Sequence, residues 1–118
     1  MVLSQSAITK EVLCIDIDGV IAEIAENYYE ALLVPGAREA LDYLKENYLI
    51  YLHTGRHLNH ATDTIKWLKD NNVYYDHIVF GKPPAIMYID DRGERFKSWK
   101  SILKRVKQLE SIQKTNTK

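Results

Sequence analysis

The chain has 118 residues, 46% of them hydrophobic, which suits one packed domain and leaves little room for a second. Lys and Arg together number 16, as do Asp and Glu, so the charge balance argues against a protein built to coat nucleic acid or an anionic membrane. The lone cysteine, Cys14, excludes an intrachain disulfide. No apolar run approaches the ~20 residues that span a bilayer, and residues 1–10 do not resemble a signal peptide. We therefore expect a soluble, cytoplasmic protein without a membrane partner.

The first half of the chain alternates between strand and helix patterns. A loose polar leader is predicted over residues 1–10, ahead of a single domain over residues 11–110. The apolar run 12–15 ends at Asp16, which is typical of a buried parallel strand whose carboxyl end carries chemistry. Residues 20–34 fit either a helix or a hairpin-like flap. The Pro-Gly pair at 35–36 then precedes a helical pattern over 37–44.

The second half continues the alternation. Residues 49–52 are predicted as the second strand, 77–80 as the third and 86–89 as the fourth, with a helix over 58–68 and a last helix over 96–106. A polar tail is predicted over 111–118. The pattern predicts the α/β class, a three-layer Rossmann-like fold with a central parallel sheet and helices on both faces.

Polar residues follow the predicted strands at their carboxyl ends, which line one crevice in an open parallel sheet. They are Asp16, Asp18, Thr54, Lys82, Asp90 and Asp91. Four carboxylates in one crevice repel each other, and a hard divalent cation such as Mg²⁺ relieves that repulsion. A lysine, a threonine hydroxyl and the backbone N–H groups after Asp16 would cradle a phosphoryl group.

Four ordered motifs carry a resemblance to the phosphatases of the haloacid dehalogenase superfamily. They are Asp16-Ile17-Asp18-Gly19, Thr54-Gly55-Arg56, Lys82 and Asp90-Asp91. The resemblance covers roughly residues 11–97, nearly the whole predicted domain. It implies an HAD-like fold and a Mg²⁺-dependent phosphomonoester hydrolase.

The resemblance also implies a role for each motif. Asp16 would be the nucleophile that forms an aspartyl-phosphate, and Asp18 the general acid and base. Thr54, Gly55 and Lys82 would bind the phosphoryl oxygens. Arg56 and His57 would be candidate substrate contacts. The metal ligands would be Asp16, the backbone carbonyl of Asp18, and Asp90, with Asp91 helping directly or through water.

The spacing between motifs leaves no room for a folded cap domain. The site should therefore be open, and the resemblance to capless relatives implies a large substrate or a homo-oligomer that covers the site. A sugar phosphate or another small phosphate ester is the expected substrate.

Several alternatives remain open or are disfavoured. The basic last helix keeps a nucleic-acid end phosphatase as the runner-up, although the zero net charge makes nucleic acid an unlikely partner. A non-catalytic module of the same fold that binds Mg²⁺ or phosphate is the non-enzyme alternative. A phospho-receiver domain would place its acidic pair first, and a dinucleotide-binding module would need more glycines around Gly19.

Overall fold

A computed structural model of the protein describes residues 10–116, so nearly all of the predicted leader lies outside the described residues. The strands of this part are β1 (Glu11–Ile15), β2 (Tyr48–Thr54) and β3 (His77–Phe80). The helices are α1 (Ala37–Leu44), α2 (Ala61–Asp70) and α3 (Trp99–Asn116), with single 3₁₀ turns at Tyr28–Glu30 and Leu58–His60. None of these helices has the length and apolarity needed to cross a bilayer.

The three strands form one parallel sheet in the order β1-β2-β3. Leu13 lies opposite Ile50, Ile15 lies opposite Leu52, and Leu52 in turn lies opposite Ile78 on β3. Because strand order follows chain order, α1 and α2 are the connections that return the chain to the start of the next parallel strand. The predicted α/β class with a parallel sheet is confirmed.

The core lies mainly on one face of the sheet, as the alternation of side chains along β2 shows. Ile50 and Leu52 are fully buried, and Thr54 continues the same side. On the opposite face Val12 is 44% exposed and Val79 is 48% exposed. Cys14 is also exposed, although the apolar run 12–15 predicted a buried strand. The side chains on that face are exposed because they alternate with the buried side chains along each strand, even though the strands are apolar overall.

Residues 20–34 adopt the hairpin-like alternative rather than a helix. The amide of Glu23 donates to the Leu32 carbonyl at 2.8 Å, and the amide of Val34 donates to the Ile21 carbonyl at 2.8 Å. We call this segment the hairpin. The indole N–H of Trp67 on α2 donates to the Ala31 carbonyl at 2.9 Å, which fixes one end of it.

The start of α3 fixes the other end of the hairpin. The indole N–H of Trp99 donates to the Val20 carbonyl at 2.8 Å, and the Trp99 Cβ would lie 3.5 Å from a Cβ added at Gly36. Gly36 has a φ of +83°, a conformation that favours glycine, and it precedes α1. Hydrogen bonds from α2 and α3 therefore hold the hairpin in place.

The predicted fourth strand over residues 86–89 is wrong for this structure. The segment pairs with no strand, and Ile86 and Ile89 are almost fully exposed. Pro83 and Pro84, which precede it, have no N–H to donate to a ladder. The Tyr88 hydroxyl donates to the Pro83 carbonyl, and the Lys82 Nζ lies 4.1 Å from the centre of the Tyr88 ring. The contacts of Tyr88 are therefore local and take the place of strand pairing.

The last helix extends further than predicted, because α3 continues through residues 111–116 of the predicted polar tail. No inserted domain interrupts the described residues 10–116. Only the hairpin and α1 separate β1 from β2, and only the second 3₁₀ turn and α2 separate β2 from β3. The carboxyl edge of the sheet is therefore free of any added domain in this part of the chain.

Candidate active site

The residues that follow the three strands meet at the carboxyl edge of the sheet. The amide of Lys82 donates to the Thr54 carbonyl at 2.9 Å, and the amide of Gly81 donates to the Arg56 carbonyl at 3.1 Å. Gly81 has a φ of +85°, which favours glycine. A Cβ added at Gly55 would lie 3.4 Å from the Lys82 carbonyl oxygen. The turns after β2 and β3 are thus bound to each other through their backbones.

Asp16 and Lys82 form an ion pair at this edge. The Lys82 Nζ lies 3.8 Å from Oδ2 of Asp16, whose side chain is 37% exposed. The amide of Ile17 donates to Oδ1 of Asp16 at 2.8 Å. One carboxylate oxygen is therefore held by the backbone, while the other faces a cation and remains accessible from solvent.

Asp18 is held by the guanidinium group of Arg56. Arg56 Nε donates to Oδ2 of Asp18 at 3.0 Å, and Nη2 donates to Oδ1 at 2.7 Å. The Arg56 side chain is fully enclosed, whereas that of Asp18 is 29% exposed. Arg56 Nη1 also donates to the hydroxyl of Thr64 at 3.0 Å. In this arrangement Arg56 faces Asp18 and not solvent, so the predicted substrate contact would need it to leave these partners.

Thr54, Gly55 and His57 shape the turn after β2. Thr54 is fully buried, and its Oγ1 accepts from the amide of Arg56 at 3.1 Å. The Nδ1 of the exposed His57 accepts from the amide of Asn59 at 3.1 Å, which caps the 3₁₀ turn that follows. Thr54 therefore organises the turn in this structure, and its predicted contact with a phosphoryl oxygen stays a prediction.

The backbone N–H groups after Asp16, predicted to cradle a phosphoryl group, are largely used within the loop. The amides at positions 20–22 all donate to the Ile17 carbonyl, and the amide of Gly19 donates to the Ala22 carbonyl at 2.7 Å. The amide of Ile17 is taken by Asp16 itself. This loop therefore offers a phosphoryl group fewer donors than its sequence indicated.

Asp90 and Asp91 do not join the other carboxylates in this structure. Both are exposed, and Oδ1 of Asp90 accepts from the amide of Arg92 at 2.8 Å. In the described part of the chain no group of three or more His, Cys, Asp or Glu side chains lies close enough to hold a metal ion. As placed, Asp90 and Asp91 do not complete a Mg²⁺ site with Asp16 and Asp18, because the segment that carries them is not part of the sheet.

Two residues at the site carry no motif and were missed from the sequence. Thr64 lies on the apolar stripe of α2, where a buried hydroxyl interrupts the hydrophobic pattern beside Trp67 and Leu68. That interruption is the signal that could have found it. His53 on β2 lies near Lys82, and burial first and this lysine second lower its pKa from the usual 6.5, while Asp16 opposes the shift.

The chain is similar to known proteins both in sequence and in structure. No model of a known protein family matches the chain. It is 47% identical over 53 residues to YqfW of Bacillus subtilis (strain 168), which is provisionally named a nucleotidase. That alignment covers 43% of this chain and 26% of YqfW, so the chain spans about a quarter of the length of this relative.

Solved structures cover more of the chain. A structural-genomics target from Vibrio cholerae has a TM-score of 0.61 and 27% identity, over 72% of this chain and 83% of that one. A chain of the Pnkp1/Rnl/Hen1 RNA repair complex has a TM-score of 0.53 and 23% identity, over 64% of this chain and 26% of that one, a likeness of fold alone. The parallel α/β fold, the order of the four motifs and these similarities support the resemblance of the chain to the haloacid dehalogenase superfamily.

Proposed function

We propose that the protein is a phosphomonoester hydrolase in which Asp16 attacks phosphorus. The observation that carries this proposal is the ion pair between Asp16 and Lys82 at the carboxyl edge of the sheet. Asp18, which pairs with Arg56, lies two residues further along the chain. An accessible carboxylate beside a cation suits a nucleophile that must meet an anionic ester. A haloacid dehalogenase fold alone would not select this chemistry, since one fold hosts many functions.

In the first step Asp16 supplies the electron pair. Its Oδ2 forms a bond to phosphorus while the bond between phosphorus and the leaving oxygen breaks. Asp18 gives a proton to the leaving oxygen, which departs as an alcohol. Lys82 binds a phosphoryl oxygen and offsets the charge that develops there. The products of this step are the alcohol and an acyl phosphate on Asp16.

In the second step water cleaves the acyl phosphate. The Asp18 carboxylate takes a proton from the water as its oxygen bonds to phosphorus, and the bond from phosphorus to the Asp16 oxygen breaks. Inorganic phosphate leaves, Asp16 is again a carboxylate and Asp18 is again protonated. The same side chain therefore serves as acid and then as base, and its placement matters in both steps.

Mg²⁺ belongs to the proposal because the relatives in this superfamily generally use it. The ion would lower the repulsion between a carboxylate nucleophile and a phosphate dianion. Asp16 and Asp18 lie at the edge where it would act. Asp90 and Asp91 remain proposed ligands that would have to approach that edge.

The proposed substrate is a sugar phosphate or another small phosphate ester, with a second copy of the chain as the proposed cover of the open site. Because YqfW is provisionally named a nucleotidase, nucleotides are also among the esters to test. A nucleic-acid end is the second candidate, since an open edge would admit a strand and α3 carries exposed lysines such as Lys100, Lys104 and Lys107. Strong dependence of binding on salt would favour the nucleic acid.

Hydrolysis of nitrophenyl phosphate by the wild type and by Asp16→Asn, each with and without added Mg²⁺, tests the proposal. We expect Mg²⁺-dependent turnover that falls at least ~10³-fold in Asp16→Asn, because an amide is a poor nucleophile. The matched control is Asp42→Asn, an exposed carboxylate on α1 whose nearest cation is Lys45 at 3.8 Å. Equal rates in the wild type and in Asp16→Asn would reject Asp16 as the nucleophile.

Binding without turnover would instead favour the non-catalytic module. That outcome would be a wild type that hydrolyses none of a panel of aryl, sugar and nucleoside phosphates, yet binds inorganic phosphate with Mg²⁺ in calorimetry. A fall in affinity for phosphate in Lys82→Met would then locate the binding site.

A further inference from the structure

Arg56 is a charged side chain enclosed in the core, and its burial needs an explanation. The buried polar residues among those whose burial is described are Thr54, Arg56 and Thr64. Hydrogen bonds from Arg56 connect them, through its amide to Thr54 and through Nη1 to Thr64. Burying a guanidinium costs free energy unless its charge is paired and its donors are satisfied. The partner that supplies the charge is Asp18.

The guanidinium group is fixed from several directions. Two of its nitrogens bind the two carboxylate oxygens of Asp18, a planar fork that a lysine cannot reproduce. The third donates to Thr64 on α2. The ring of Tyr28, from the hairpin, lies with its centroid 3.9 Å from Cζ of Arg56. A group held in this way is preorganised for Asp18 and is not free to reach a phosphoryl oxygen.

We propose that Arg56 is a positioning residue for Asp18, and that Thr64 and Tyr28 support it. The inference rests on the proposed function, in which Asp18 gives a proton and then takes one. Each Asp18 oxygen that accepts from Arg56 keeps a second lone-pair position, which carries the proton for the leaving oxygen in the first step and accepts the proton of water in the second. A fork to both oxygens fixes the plane of the carboxylate, which sets the direction of those lone pairs.

A series of phosphate esters with different leaving groups separates this role from phosphate binding. Dinitrophenol leaves without help from an acid, whereas phenol needs a proton. In Arg56→Lys we expect kcat/KM for phenyl phosphate to fall roughly 10²-fold, and kcat/KM for dinitrophenyl phosphate to fall far less. Asp18→Asn should show the same dependence on the leaving group. The double variant should lose little beyond Asp18→Asn alone, because Arg56 acts through Asp18.

Thr64→Val gives a test that leaves both charges in place. Valine keeps the shape of threonine and removes only the oxygen that accepts from Arg56 Nη1. We expect a several-fold loss with phenyl phosphate and a smaller one with dinitrophenyl phosphate. Thr62→Val is the matched control, an exposed threonine on the same helix, and should match the wild type with every ester.

The outcomes distinguish this inference from the proposed function. An equal loss with every ester in Arg56→Lys, in a variant that melts within a few degrees of the wild type, would overturn the positioning role and leave the hydrolase intact. Losses in Arg56→Lys and Asp18→Asn that multiply in the double variant would also overturn it. A wild type that hydrolyses none of the esters would overturn both proposals together.

Discussion

Lys82 contacts Asp16 across the end of β2, with 3.8 Å between the Lys82 Nζ and Oδ2 of the Asp16 carboxylate. Asp16 follows β1, Lys82 follows β3, and β2 lies between them. The contact is possible because the turn after β3 is bound to the end of β2 through the Lys82 amide and the Thr54 carbonyl. The sheet therefore fixes the distance between the proposed nucleophile and its cation.

Replacing Lys82 should weaken catalysis more than folding. In Lys82→Met we expect kcat/KM for nitrophenyl phosphate to fall roughly 10²-fold, because a preorganised cation at the phosphoryl oxygens is lost. The methionine keeps most of the length of the aliphatic chain. Steady-state kinetics measure the effect, with Lys69→Met on the exposed side of α2 as the control. Equal kinetics in the two variants would show that Lys82 does not act on the substrate.

We expect any side chain at position 81 to destabilise the protein, although the space around Gly81 would admit one. Its φ of +85° disfavours L residues, and a Cβ there would meet no atom within 4 Å. Gly81→Ala should therefore cost about 1 kcal/mol of unfolding free energy through the backbone alone. We also expect a loss of activity, since Lys82 is the next residue. Gly93→Ala is the control, with an ordinary 3.6 Å contact to Cβ of Asp90, and urea unfolding measures both variants.

Trp67 should contribute to stability through both its volume and its hydrogen bond. Its side chain is 1% exposed, and its indole N–H donates to the Ala31 carbonyl. Trp67→Phe leaves a cavity and an unpaired carbonyl, so we expect a loss of roughly 2–3 kcal/mol. Tyr43→Phe on the exposed face of α1 should change the unfolding free energy by less than ~0.5 kcal/mol. A Trp67→Phe variant as stable as this control would contradict the role of the bond.

Asp76 should make the stability of the sheet depend on pH. Its Oδ2 accepts from the Ile50 amide at 2.8 Å and its Oδ1 from the Tyr74 hydroxyl at 2.6 Å. The first bond and then the second lower the pKa of its carboxyl below the ordinary value of 3.8. Because the pKa is lower in the folded state, the stabilisation is complete above pH 3.8 and is lost as the pH falls through the folded value.

The corresponding variant is Asp76→Ala. We expect a loss of about 1 kcal/mol at neutral pH, since the Ile50 amide loses its acceptor. The difference from the wild type should shrink as the pH falls below 3.8. Urea unfolding at several pH values measures it, with Asp42→Ala as an exposed control expected to show little change at any pH. A stability difference that grows toward acidic pH would contradict the proposed stabilisation by the ionised Asp76 carboxylate.

The sequence was sufficient to place Asp16 and Lys82, because both depend on local rules. Each follows a short apolar run, and the carboxyl ends of parallel strands share one edge. The fold class followed from the same alternation of strands and helices. Each of these predictions needs only the order of strands and helices and the spacing of apolar residues along them.

Two other features could not be predicted in this way. The run 86–89 has the composition of a strand, but a strand also needs a paired neighbour, and here Tyr88 bonds to Pro83 instead. The fork between Arg56 and Asp18 depends on how the hairpin and α2 pack around one guanidinium. Spacing between motifs carries no information about such packing, so Arg56 was interpreted as a substrate contact.

The two indole bonds to the hairpin give the protein a built-in optical reporter. Its sequence contains two tryptophans, and each donates to a main-chain carbonyl of the hairpin, one at Val20 and one at Ala31. Tryptophan emission responds to the polarity around the ring and to the loss of such a bond. A shift in emission when phosphate esters are added would therefore report displacement of the segment that carries Tyr28, without any label.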